Sequence, residues 1–229
     1  MLCLFAKKIK WQLVFFYILG LPKTLYFNLR YFSLWDALHL PVFVSHRVLL
    51  RNCGGSVQIS APIRTRMVQI GFGYVGIFDA RYSRSIWEVE GDVEFQGEAR
   101  LGHGTRISVG KKGTLVFAGR VEITAETSIV CQRKISFGEG TLISWENLII
   151  DTDFHHVLKN GEIINHPAEI NIGKHVWIGC RCTILKGSVI ADKTIVAAGS
   201  LIAKKFTRGN VIIGGISAKV LTDEVEWMA

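Results

Sequence analysis

The sequence predicts an all-β solenoid preceded by a basic, aromatic and partly helical N-terminal segment. Three observations predict it: an aliphatic side chain at every sixth residue from Ile172 to Ile202, a second apolar spacing upstream, and positive charge gathered before residue 36. The chain has 229 residues, 49% apolar and 20% charged, which is enough apolar material for a packed core and excludes a disordered chain. Glycine is frequent at 23 and proline scarce at 4, so the glycines read as residues placed for backbone geometry and not as a linker.

Lys7, Lys8, Lys10, Lys23 and Arg30 precede the first acid, Asp36, and from there on 22 basic face 19 acidic groups. That near balance, with no basic stripe among aromatics, argues against nucleic acid as a partner. Between Lys10 and Lys23 run twelve uncharged residues, WQLVFFYILGLP, where a spanning helix needs about 20. No small-x-small cleavage site follows, so secretion is not expected. Trp11, Phe15, Phe16, Tyr17, Tyr26, Phe27, Tyr31, Phe32 and Trp35 make this segment aromatic as well as basic. It reads equally as an element lying in the interface of an anionic membrane and as a helical cap on the protein or a neighbouring subunit. The predicted units are therefore residues 1–50 as N-terminal segment, 51–221 as solenoid and 222–229 as tail. Cys3, Cys53, Cys131, Cys180 and Cys182 form no C-x-x-C pair, which fits a reducing compartment and a cytoplasmic location.

The six-residue spacing comprises Ile172, Ile178, Ile184, Ile190, Val196 and Ile202, with Val176, Cys182, Ser188, Thr194 and Ser200 as small or β-branched residues four positions after the first five. An amphipathic helix would repeat every 3.6 residues, and one strand cannot sustain six repeats. A chain that turns every six residues can, pointing one aliphatic side chain per short strand into a shared interior. Upstream, Phe95, Val109, Ile123 and Phe137 stand 14 apart, as do Leu101, Leu115, Ile129 and Ile143, and Ile107, Val121, Ile135 and Ile149. This spacing predicts coils of 14 residues, each with three inward side chains, from near residue 90 or earlier. Residues 150–169 break both periods and are polar, which predicts a loop thrown out of the solenoid.

The run IGKHVWIGCRCTILKGSVIADKTIVAAGSLIAKKF, with ISFGEGTLISWENLIIDTDFHHV before it and GGISAKVL after it, resembles the hexapeptide-repeat acyltransferases. This group includes maltose, galactoside, serine and polysaccharide O-acetyltransferases, and the resemblance covers about residues 90 to 221. It implies a left-handed parallel β-helix, an exception to right-handed crossovers, and a homotrimer with acetyl-CoA in the cleft between neighbouring subunits. Two features depart from the family pattern. Its coil is three hexapeptides, about 18 residues, against the upstream 14. Its closing G-N-P-A-K-V is here Gly214-Gly-Ile-Ser-Ala-Lys219-Val, with Ser217 in place of proline.

Moving an acetyl group from a thioester to a hydroxyl needs a base for the proton, donors for the oxyanion and a surface that aligns both substrates. In Asp151-Thr-Asp153-Phe-His155-His156, the resemblance puts His155 at the base position, with His156 as rival and Asp153 as the carboxylate that would orient the imidazole. Ordinary Asx-type turns would use the same residues in an isolated loop. The resemblance also assigns the cofactor to Trp177, Gly179, Ala197, Ala198, Gly199 and Ser200, with Lys204, Lys205 and Lys219 for its phosphates. Trp145 reads as occupying a place comparable to Trp177, and both equally suit a coil-stabilising role. Cys182 sits in a small inward slot, which predicts a buried, inert thiol and no covalent catalysis. His175 reads as surface decoration in a repeat corner.

The expectation is thus an acetyl-CoA-dependent O-acetyltransferase acting on a hydroxyl of a glycan or glycan precursor, without a metal. Rival readings are a sugar N-acyltransferase or small-alcohol acetyltransferase, a zinc enzyme like the γ-type carbonic anhydrases using His155, His156 and His175, and a non-catalytic β-solenoid scaffold.

Overall fold

The computed structural model describes residues 2–79 and 82–228, with side chains from Phe16 onward. The basic and aromatic residues before that point, Lys7, Lys8, Lys10, Trp11 and Phe15, and with them Cys3, lie outside the described side chains.

The chain winds through three parallel sheets in strict rotation. The first sheet stacks Val42–Val44, Val68–Phe72, Ala99–His103, Val121–Ala125, Leu142–Ile143, Trp177–Ile178, Ile195–Val196 and Val211–Gly214, and the other two contain seven strands each. The solenoid thus begins at Val42, which moves its start back from residue 51 into the segment assigned to the N-terminal unit. The strand Lys219–Asp223 closes the first sheet antiparallel to Val211–Gly214. Beyond it, Trp227 folds back onto His175.

All twelve residues of the upstream spacing are buried, at 2% exposure or less. The coil length is corrected, however: Phe95 pairs with Phe117 and Phe117 with Phe137, at steps of 22 and 20 residues. Phe95, Val109 and Ile123 lie on the third, second and first sheets, so a step of 14 advances two faces of a three-faced coil. The longer faces place two large side chains inward, such as Leu115 with Phe117 and Ile135 with Phe137, where later coils pair one aliphatic with Cys182, Ser188, Thr194 or Ser200. Phe95, Phe117 and Phe137 stack with centroids 5.2 and 5.3 Å apart and rings within 10° of parallel. From Ile172 to Ile190, and from Ile178 to Val196, the coil shortens to the expected 18 residues. Corners turn on residues at positive φ, among them Arg120 (58°), Glu146 (57°), Arg181 (58°) and Lys193 (56°).

A solenoid has an open end whose backbone groups need partners. Here the helix α1 (Leu2–Tyr31) supplies them from its side chains. Asn28 donates to the Val42 carbonyl at 2.6 Å and accepts from its N–H at 3.1 Å, and Thr24 does the same for Val44 at 3.3 and 3.0 Å. Lys23 reaches the carbonyls of His46 and Val48 at 2.7 and 2.6 Å. Phe27, fully buried, meets the Trp87 ring edge-on at 5.2 Å. The second half of α1 is therefore a cap that substitutes side-chain amide and hydroxyl groups for a missing strand. Its other face leaves Ile18, Leu21, Leu25 and Leu29 exposed, and the short helix α2 (Leu34–Leu38) adds Leu34, Trp35 and Leu38. Among the described residues no helix is long and apolar enough to cross a membrane.

Candidate active site

The loop after Leu148–Ile150 leaves the corner between the second and third sheets and returns at Ile170–Ile172. Its base is Asp151, fully buried, whose carboxylate accepts from the N–H groups of Gln132 and Arg133 at 2.7 and 2.8 Å. These two bonds from backbone N–H groups of the preceding coil make Asp151 the anchor of the loop. A short hairpin, Leu158–Lys159 against Glu162–Ile163, forms the tip.

Asn165 organises the segment that carries the histidines. Its amide donates to Asp153 Oδ2 and to the His155 carbonyl, both at 2.8 Å, while its Oδ1 accepts from Val157 N–H at 2.6 Å. Lys186, from the next coil, donates to Asp153 Oδ2 and, at 2.9 Å, to the Asn165 carbonyl. His155 and His156 are exposed, and among the described residues neither ring makes a hydrogen bond. The expected Asp153–imidazole bond is therefore corrected: Asp153 is engaged by Lys186 and Asn165, and it orients His155 through the backbone. Hydrogen bonds from Lys186 and Asn165 hold the Asp153 carboxyl below its ordinary pKa. The ionised anchor is thus in place at neutral pH and is lost only as pH falls through that lowered value. Asn165 and Lys186 escaped the sequence reading because nothing in their local context marks them; coil stacking brings them together.

Asn165→Ala is expected to lower kcat for acetyl transfer about 10- to 100-fold, since sub-ångström misplacement of a base has effects of that size, with acetyl-CoA affinity unchanged. Comparison of steady-state rates with the cofactor Kd checks this. A kcat within a factor of two of the parent would show that the hub does not position the base.

The cofactor candidates divide between two places. Trp177, Gly179, Ala197 and Ala198 lie along the outer side of the first sheet and its corner toward the second. Trp177 is 37% exposed and donates from Nε1 to Ser144 Oγ at 3.3 Å. A Cβ on Gly179 would stand 2.7 Å from the Ala198 nitrogen, so only glycine keeps this strip low. Lys219 pairs with Gly214, and a Cβ on Gly214 would stand 2.8 Å from that of Ala197, so Lys219 joins this strip. Lys204 and Lys205 stand apart from it, at the corner between the second and third sheets below the loop, with Lys204 Nζ 5.3 Å over the Phe206 ring. In one chain, then, His155 and the small-residue strip are separated by the full face bearing Thr183–Leu185.

Trp145 is not equivalent to Trp177, because Leu142 is the residue paired with Trp177 and Trp145 sits at the Cys180–Arg181 corner. His175 is more than decoration: its ring stacks on Trp227 at 4.3 Å, and Trp227 Nε1 donates to its carbonyl at 2.9 Å. Cys182 is buried, with its thiol pushed up by desolvation and 3.2 Å from the Ala197 carbonyl. Without proline, the closing corner is held by Gly215 N–H on Ser200 Oγ at 3.2 Å and Ala218 N–H on the Leu201 carbonyl at 3.0 Å. Among the described residues no three His, Cys, Asp or Glu side chains converge on a site for a metal ion.

The bacterial transferase hexapeptide family (six repeats) matches residues 169–204. The chain is similar to WbbJ of Escherichia coli K12, assigned as a lipopolysaccharide biosynthesis O-acetyl transferase, at 24% identity over 143 residues, covering 58% of this chain and 72% of that protein. It is 44% identical over 64 residues to the polysialic acid O-acetyltransferase of Neisseria meningitidis, covering 27% and 30% of the two chains. It is 31% identical over 124 residues to the galactoside O-acetyltransferase of Escherichia coli K12, covering 53% and 56%. The chain thus spans less than two thirds of the last two relatives. The repeat bears out the left-handed parallel β-helix that the resemblance implied.

Proposed function

We propose that this chain, a hexapeptide-repeat protein of the bacterial transferase type, is an acetyl-CoA-dependent O-acetyltransferase that acts on a hydroxyl of a glycan or glycan precursor. One observation carries the reading: the excursion at residues 151–169 is built, through Asp151, Asn165 and Lys186, to hold His155 at its surface. The His155 imidazole takes the acceptor hydroxyl's proton as its oxygen adds to the thioester carbonyl, and gives it to sulfur as the C–S bond breaks and CoA leaves as the thiol. The pantetheine lies along Gly179, Ala197 and Ala198, beside Trp177, with Lys219 available to a phosphate. The three O-acetyltransferase relatives support the same chemistry.

The separation of His155 from the cofactor strip in one chain supports a homotrimer in which each site takes its base from one copy and its strip from the next. Two inactive variants, His155→Ala and Ala198→Trp, are expected to regain activity when unfolded together and co-refolded, because some interfaces then carry both intact halves. Activity that stays absent in mixed assemblies, when the unsubstituted protein regains full activity through the same unfolding and refolding, would place the site within one chain.

The exposed row Ile18, Leu21, Leu25 and Leu29, continued by Leu34, Trp35 and Leu38, supports peripheral contact with the cytoplasmic face of the membrane. Acetyl transfer from labelled acetyl-CoA to neutral and acidic oligosaccharides, an amino sugar and a small alcohol tests the reaction class. Transfer to the amine alone would favour N-acylation, and activity lost on zinc chelation would favour the metal reading.

A further inference from the structure

A second site lies away from the loop and the cofactor strip. On the outer side of the first sheet, a cavity of about 990 Å³ opens between α1 and residues 73–79. That volume is at the upper end of small-molecule sites. Its wall is preformed: Tyr17 stacks on Phe72 at 4.7 Å and donates to Gln69 Oε1 at 2.9 Å, and the Arg66 guanidinium lies 5.4 Å over the Tyr17 ring.

The floor holds polar groups with no partner. His103 is 2% exposed, and among the described residues neither ring nitrogen has a hydrogen bond; the same holds for the buried Thr124 hydroxyl oxygen. Native proteins satisfy nearly all such groups, so several on one cavity wall point to a ligand. Desolvation holds His103 below its ordinary pKa and hence neutral, with one donor and one acceptor. Thr124 also offers both, the pairing that sugar hydroxyls need. Phe78 stands edge-on to His103 at 5.9 Å and closes the far side. A Cβ on Gly102 would lie 1.9 Å from the Thr124 carbonyl, so only glycine lets the two strands that form the floor pack this closely.

Charge gives the ligand its sign. Arg47, Arg66 and Arg100 line the cavity against Asp79 and Glu122. Arg100 is exposed, faces Glu122 across the strands, and still makes no ion pair among the described residues. We propose that this cavity binds a negatively charged sugar unit, with its carboxylate or phosphate on Arg100 and Arg66 and its hydroxyls on His103 and Thr124. The glycan reading above enters only in making that unit part of the acceptor. Thr124 lies on a strand two positions from Trp177 in the same sheet, about 10 Å at the usual strand spacing. A polymer seated here therefore runs its next units toward the cofactor strip.

Titration calorimetry on the purified full chain, without acetyl-CoA, tests this with tetramers of galacturonic acid and of sialic acid, their methyl esters, and glucose 1-phosphate. An acidic tetramer is expected to bind, at least tenfold more weakly once esterified and at least tenfold more weakly to Arg100→Gln. Binding of glucose 1-phosphate alone, lost in Arg100→Gln, would assign the anion to a phosphate. No binding of any probe, or binding indifferent to esterification or to Arg100→Gln, overturns the proposal. Acetyl-CoA affinity, measured separately and expected to be unchanged in Arg100→Gln, reports on the transferase reading independently.

Discussion

His155→Ala is expected to lower acetyl transfer by about 10²- to 10⁴-fold, the range a positioned general base contributes, while acetyl-CoA binds with its parental Kd. The two readouts separate because His155 stands on the excursion at one corner and the cofactor strip on another face. His156→Ala is expected to fall by less than about tenfold, since the bonds of Asn165 converge on the backbone at His155 and not at His156. Asp153→Asn is expected to behave like the loss of an anchor: it weakens the link to Lys186 and disturbs the loop without removing a proton acceptor. Single-turnover rates with saturating acetyl-CoA are the measurement. A His155→Ala enzyme within threefold of the parent, or a His156→Ala enzyme that takes the larger loss, would remove His155 from the role of base.

The largest expected stability effect falls on Phe117→Ala. Phe117 is fully buried between Phe95 and Phe137 in a near-parallel stack at the centre of the long coils. Deleting the ring removes its transfer free energy and leaves a cavity that the parallel strands on either side cannot collapse into, for a loss of about 3–5 kcal/mol. Phe117→Leu, closer in volume, is expected to cost less than about 1.5 kcal/mol. In a stacked fold each coil contacts only its neighbours. Protection from hydrogen exchange is thus expected to fall first between residues 93 and 137 and to persist at 169–204. Urea unfolding at fixed protein concentration checks the energy, fixed because assembly contributes to apparent stability. A loss below 1 kcal/mol would mean that the aromatic stack is not what fills the wide coils.

The inward set was legible in the sequence. Ile178, Ile184, Ile190 and all twelve upstream residues are buried as expected, because alternation of large apolar and small or polar residues reports which side of a strand a residue faces. The position of the loop was legible for the same reason, as an interruption of that alternation. The coil length was not. Three equally apolar faces make a step of two faces indistinguishable from a whole turn, so Phe95 and Val109 appear as neighbours until strand pairing joins Phe95 to Phe117.

The site divides in the same way. A histidine on the excursion follows from the polar break in the repeats, and the low strip at Gly179 and Ala197 follows from the resemblance to the hexapeptide-repeat acyltransferases. That Asp153 turns to Lys186 and Asn165, and that Arg66, Arg100, His103 and Thr124 meet over one face beneath α1, follows only from stacking. By itself the sequence determined which side chains point inward, since that depends on a residue's immediate neighbours along the strand. The tertiary structure alone decided which residues lie side by side across coils, since that register is set by corner lengths summed over some 20 residues of chain.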